Sequence, residues 1–269
     1  MKKLATALVS AAAIMTMSTT AFAAENPAEV FDRVMEKNNT IQSAEIQSGV
    51  HSVILAKDVI PDGQMKVDMA MHAEMDMQDT TDLKYLAQVA SSILGQDSYS
   101  QVFYTDGYYY VDANGVKLKY PMPLEQIISS VQTGVNTSNM ESSYMKGISL
   151  NEVNGKRVLA YEANPKKLNK NVKEALGTVM NTLGTDVNLD MNIQEMKGAY
   201  VLDDNDYIIY MTNYIVYNME VLDQPMTCIT LMETEVPNPG EPVVVTLPST
   251  DGYEDLIGLY DGVIESEVE

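Results

Sequence analysis

The chain has no tryptophan, one cysteine, two histidines and three phenylalanines in 269 residues. The lone Cys228 excludes an internal disulfide, so packing must hold the fold together. It lies in the alternating run "MTCITLM", where a buried, inert thiol is expected. His51 and His72 both fall in alternating stretches with no nucleophile at a recognisable spacing, which leaves acid–base and nucleophilic catalysis without their usual parts. No Walker loop, dinucleotide fingerprint, zinc spacing or nucleophile elbow is present. The chain therefore reads as a non-enzyme with no cofactor and no resident metal.

Positive charge is also scarce. Against 38 Asp and Glu stand 17 Lys and Arg, none of them after Lys197, for a net charge of −21. A nucleic acid or an anionic membrane surface demands a basic face, so neither is expected as a partner. "DDND" at Asp203 to Asp206 lacks the glycine and the distal glutamate of a calcium loop, and a turn between two strands explains it better. Long apolar runs are missing too. The first residues, Lys2 and Lys3, a short apolar core to Ile14 and then Ala21-Phe22-Ala23, have the form of a secretory leader cleaved after Ala23. Losing Lys2 and Lys3 takes the charge from −21 to −23. The expected location is secreted, free or loosely retained at the cell wall, because no cysteine near the cleavage site can accept a lipid.

What the chain has in quantity is methionine, 19 residues, and tyrosine, 16. In "QMKVDMAMHAEMDM" from Gln64, every second position is apolar: Met65, Val67, Met69, Met71, Ala73, Met75 and Met77. Thirteen alternating residues extend about 43 Å, far beyond an ordinary strand, and suit a large curved sheet. Methionine is unbranched and adaptable, so a methionine face tolerates apolar guests of varied shape. Met65, Val67, Met69, Met71, Met75 and Met77 are accordingly the candidate ligand-binding residues. Thioethers also suit Cu(I). Against that, His72 points away from Met71 and Met75, and the sulfurs are spread along the strand.

Around this stripe the pattern predicts a helix from Asn26-Pro27 to about Lys37 and a strand over Gln42 to Ala56. A second helix is expected over Asp79 to Leu94, with Gly95 as its C-cap. "QVFYTDGYYYVDANGVKLKY" carries Asp106-Gly107 and Asn114-Gly115, which specify three hairpin-linked strands. A helix from Pro123 to about Thr133 and two strands joined at Asn154-Gly155 come next. A helix then begins at Asn164-Pro165 and runs through Leu183. Three long strands follow, at about Val187 to Leu202, Tyr207 to Val221 and Met226 to Val236, and a short one at Val243 to Thr246. This implies an α+β fold: a large curved antiparallel sheet with helices on its concave face. One domain is expected over 24–250, conceivable as a tandem duplication of helix, two strands, helix and three strands (27–122 and 123–236), before an acidic tail at 251–269.

The leader, the segment "NPAEVFDRVMEKNNTIQSAEIQ", the long alternating strands and above all "QVFYTDGYYYVDANGVKLKY" resemble a group of uncharacterised secreted proteins and lipoproteins of Gram-positive bacteria. That group is similar in turn to the LolA/LppX-like lipoprotein-carrier superfamily. The resemblance implies a half-open barrel whose helices plug the concave side around a cavity for acyl chains. The chain departs from the lipoprotein members in lacking their lipid-accepting cysteine, and it has "GVKLKY" where a tryptophan is common.

The function expected is non-enzymatic binding by a monomer, with a hydrophobic small molecule or a lipidated protein held between sheet and helices. The alternative is a surface interaction module for protein or glycan with a fully packed core. Tyr108 with Tyr110, and Tyr210 with Tyr214, would each share a face and could stack on sugars.

Overall fold

Alternation dominates the folded chain even more than it does the sequence. The computed structural model describes residues 25–56, 60, 62–79, 82–124, 140–170, 191–221 and 224–256. Among these, a single sheet contains β1 (Ser43–Leu55), β2 (Gln64–Asp76), β3 (Lys84–Ile93), β4 (Gln96–Thr105), β5 (Tyr108–Ala113) and β6 (Val116–Pro121). It continues with β7 (Met145–Val153), β8 (Lys156–Ala163), β9 (Asn192–Leu202), β10 (Ile208–Val221), β11 (Gln224–Glu235) and β12 (Glu254–Asp255). The spatial order is β12-β6-β5-β4-β3-β2-β1-β11-β10-β9-β8-β7. Two antiparallel meanders thus meet where β1 pairs with β11, and only the two-residue β12 runs parallel to its neighbour.

Four two-residue turns hold the tightest hairpins. Leu94-Gly95, Asp106-Gly107, Asn114-Gly115 and Asn154-Gly155 all have positive φ at both residues. That is the geometry whose twist matches paired strands. Strands of up to 14 residues accumulate twist, and register shifts at Ile208/Tyr210 and Val216/Tyr217 of β10 add local bends. The result is one large, open, curved sheet.

The helix expected over Asp79 to Leu94 is in fact strand β3. Leu83, Leu86, Ala87, Ala90 and Leu94 have helical spacing, but β3 lies between β2 and β4 and buries side chains on both faces. Gly95 is a hairpin residue and not a helix cap. The described chain is therefore mainly sheet, not an even mixture of helix and strand. Among the described residues α1 (Pro27–Asn38) is the one complete α-helix, Ser142–Tyr144 form a single 3-10 turn, and residues 165–170 begin another helix. The expected leader, almost all of the helix expected from Pro123 and most of the one expected from Pro165 lie outside the described residues.

Helix α1 starts where Asn26 Oδ1 accepts from the Ala28 N–H and Pro27 fills the first turn. Its buried residues Val30, Phe31, Val34 and Met35 pack with Leu150, Leu159, Tyr161, Tyr200 and Leu202. Arg33 fixes its outer side through Glu25 and Asp206, each at 2.9 Å. Asp206 also pairs with Arg157 of β8, so "DDND" is an ion-paired turn between β9 and β10.

After β11 the chain crosses the opposite face. Val243 donates its N–H to Ser43 Oγ, and Val245 and Tyr253 bury Leu86, Phe103 and Tyr110. The short strand expected at Val243 to Thr246 is instead irregular strap. Within the segment expected as an acidic tail, Tyr253 is buried and Glu254–Asp255 pair with β6, and residues 257–269 lie outside the described residues.

Candidate functional site

Strand pairing brings residues of eight strands to a common cavity of about 820 Å³. Registers define its rows. Met75 stands opposite Ala44 of β1 and Tyr85 of β3; Ala73 stands opposite Ile46 and Ala87. Met71 continues across the sheet through Ser48, Thr234, Met211 and Tyr200. Met35 of α1 and Met140 approach from off the sheet.

The lining is uncharged among the described residues and includes eight methionines and four tyrosines. In a chain with 38 acids this segregation follows from the two-residue period, which sends Glu45, Asp68, His72 and Glu74 to the outer face. His72 Nε2 lies 3.2 Å from Glu45 and His51 Nδ1 lies 2.7 Å from Asp68, so both imidazoles serve the outer surface. Cys228 is buried, and burial raises its pKa, which keeps it a thiol.

Some polar atoms on this side of the sheet are paired within the fold. Ser48 Oγ lies 2.8 Å from Thr234 Oγ1, and Tyr104 donates its hydroxyl to the Met122 carbonyl at 3.2 Å. Burial pushes Tyr200 up to about 12 and pushes Tyr85, Tyr109 and Tyr120 above the usual phenol range. All four are neutral phenols at physiological pH.

Of the six stripe residues proposed from sequence, Met71 and Met75 line this cavity. Met77 is buried beside it, with Ala44, Leu83 and Tyr104. Met69, 39% exposed, and then Val67 and Met65 carry the same face outward beyond the lining. Sequence reasoning missed the second meander's share: Met196, Met211, Asn213, Ile215 and Met232. Their alternation was visible, but their register with β1 was not. It also missed Tyr85, Tyr109 and Tyr120. The tyrosines singled out instead, Tyr108 and Tyr110, face outward, and Tyr110 lies beneath Tyr253 with ring centroids 5.2 Å apart. Tyr110 is therefore no exposed platform. Tyr210 donates to Glu233 at 2.5 Å, and Lys197 covers the ring of Tyr214.

The model of a family of unknown function, DUF6612, matches residues 26–241. The chain belongs to that family. No curated protein matches a DUF6612 chain of this sequence. Solved structures similar to this DUF6612 protein include LprF from Mycobacterium bovis, at 10% identity and a TM-score of 0.38, covering 83% of this chain and 97% of that one. Lipoprotein LppX from Mycobacterium tuberculosis is similar at 9% identity and 0.34, covering 82% and 100%. A β-barrel-like DUF1849 protein from Brucella abortus is similar at 12% and 0.23, covering 72% and 99%. Among the described residues of this DUF6612 chain no helix is long and apolar enough to cross a membrane.

Proposed function

We propose that this protein is a secreted, non-enzymatic carrier that holds a hydrophobic ligand, a lipid or the acyl chain of a lipidated partner, in the cavity between its sheet and its helices. In this reading the sheet is a half-open barrel and the helices, α1 among them, close its concave side. The observation that carries the proposal is the cavity itself: about 820 Å³ with an uncharged, methionine-rich lining among the described residues. That volume lies in the range of small-molecule sites, about 300–1,000 Å³. Each buried methylene contributes about 0.8 kcal/mol, so an acyl chain gains affinity without any specific polar contact. A fully packed interaction module would have no use for such a space, which favours the carrier over that alternative.

The test is to purify the chain lacking residues 1–23 without detergent, measure its native mass, and extract it for lipid analysis. A stoichiometric lipid, or saturable uptake of an uncharged fluorophore such as N-phenyl-1-naphthylamine, is expected. A chain that carries no lipid and takes up no fluorophore is not a carrier.

A further inference from the structure

One row of the cavity face is aromatic. Tyr85, Tyr104, Tyr109 and Tyr120 stand opposite one another across β3, β4, β5 and β6. Tyr109 and Tyr120 are in ring contact, with centroids 5.5 Å apart. The hydroxyl of Tyr104 is used by the Met122 carbonyl. Those of Tyr85, Tyr109 and Tyr120 make no hydrogen bond with any described residue, although all three line the cavity. All three residues are only partly buried and line the cavity, so a guest that supplies an acceptor there takes the place of water at each hydroxyl. The cations of this region are turned away: Lys117 lies over Tyr253 and Lys119 over Tyr108, both on the outer face.

We propose that the tyrosine row is a head-group subsite for a neutral acylglycerol, whose ester carbonyl or free hydroxyl accepts from Tyr85, Tyr109 and Tyr120 while its acyl chain runs over Met75 and Met71. This rests on the carrier reading and narrows its ligand class. A phenol donates one hydrogen bond and brings no charge, which suits an ester or alcohol oxygen. A carboxylate or phosphate would shed its water into a site where the described lining offers no counter-charge, at a cost that three phenols repay only in part. Burial holds all three tyrosines in the protonated, donating form.

The experiment is displacement of N-phenyl-1-naphthylamine from the chain lacking residues 1–23 by 1-monooleoylglycerol and by oleate, in mildly alkaline buffer where oleate is ionised. It is repeated in Tyr85→Phe, Tyr109→Phe and Tyr120→Phe. These variants keep the ring and remove a hydroxyl that has no hydrogen-bond partner among the described residues, so they are expected to retain stability. The glyceride is expected to displace the fluorophore at concentrations about tenfold lower than oleate, and each Phe variant to weaken the glyceride by about fivefold to tenfold relative to oleate, with every displacement referred to that variant's own fluorophore affinity. Equal displacement by oleate, or Phe variants that bind the glyceride like the parent, would overturn the subsite while leaving the cavity standing. Failure of the parent to take up the fluorophore would overturn the carrier reading and the subsite with it.

Discussion

Tyr161 of β8 reaches over β9 and donates its hydroxyl to Oδ1 of Asn213 on β10, both side chains being buried. Gly198 is the register partner of both residues and makes the bond possible. A Cβ at that position would lie 2.5 Å from Asn213 Oδ1, 2.5 Å from the Thr212 carbonyl oxygen and 2.8 Å from the Tyr161 hydroxyl. The backbone contact is the decisive one, because a carbonyl in the middle of a strand cannot rotate away. Gly198→Ala is expected to cost about 2–3 kcal/mol, read as a lower urea midpoint at unchanged slope. Tyr161→Phe leaves Asn213 without its partner and is expected to cost about 1–3 kcal/mol. A neutral result for Gly198→Ala would mean that the close approach over β9 is absent in solution.

The β3–β4 hairpin is the weakest-specified of the four tight turns. Leu94 has φ 52° and is 72% exposed, so it bears the strain of a left-handed backbone without gaining burial. Leu94→Asn restores the dipeptide that this turn type prefers and is expected to stabilise the protein by about 1 kcal/mol. Leu94→Val, β-branched at the same φ, is expected to destabilise it. Equal thermal midpoints for the two variants would contradict this account.

The same turn explains where the sequence misleads. Asp106-Gly107, Asn114-Gly115 and Asn154-Gly155 announce their hairpins, and the strands flanking them could be read directly. Leu94-Gly95 does not, so the helical spacing of Leu83, Leu86, Ala87 and Ala90 dominates the local signal. Only the flanking β2 and β4, with the C-terminal strap over Leu86 and Phe103, make β3 a strand. Alternation likewise separates Tyr108 and Tyr110 from Tyr109 but does not say which set faces inward. The cavity's limits were beyond reach for a related reason: they depend on pairs such as Ser48 with Thr234, 186 positions apart in the chain.

Along the methionine strand, position decides the effect of a charge. Met71 lines the cavity, whereas Met69, one step outward on the same face, is 39% exposed. Met71→Glu is expected to weaken fluorophore uptake by about tenfold or more, since its carboxylate must either remain desolvated or fill the cavity. Met69→Glu is expected to change uptake by no more than about twofold, because its carboxylate stays hydrated. Met75, 2% exposed, is a packing residue as well, and Met75→Ala is expected to cost about 2–4 kcal/mol of stability. If Met69→Glu abolishes uptake while Met71→Glu spares it, the guest lies on the outer part of the stripe.

Alkaline pH should unfold the protein through its buried phenols. Burial pushes Tyr200 up to about 12 from 10.0, and it raises Tyr109 and Tyr161 as well, with neighbouring tyrosines adding to the effect on those two. The unfolded chain releases these protons near pH 10 while the folded chain keeps them, so over that interval the folded state binds more protons. The stabilisation is whole below pH 10 and is lost progressively as pH rises from 10 towards 12. Tyrosinate absorbance is expected to rise in two steps, exposed phenols first and buried ones together with loss of the sheet circular dichroism. Tyr109→Phe removes a raised group whose hydroxyl has no described hydrogen-bond partner, so it is expected to move the second step to higher pH. A single smooth titration of all 16 tyrosines with the sheet signal intact would show that solvent reaches the aromatic row freely. The cavity would then be an open trough lined with water, and the preference for an uncharged guest would lose its physical basis.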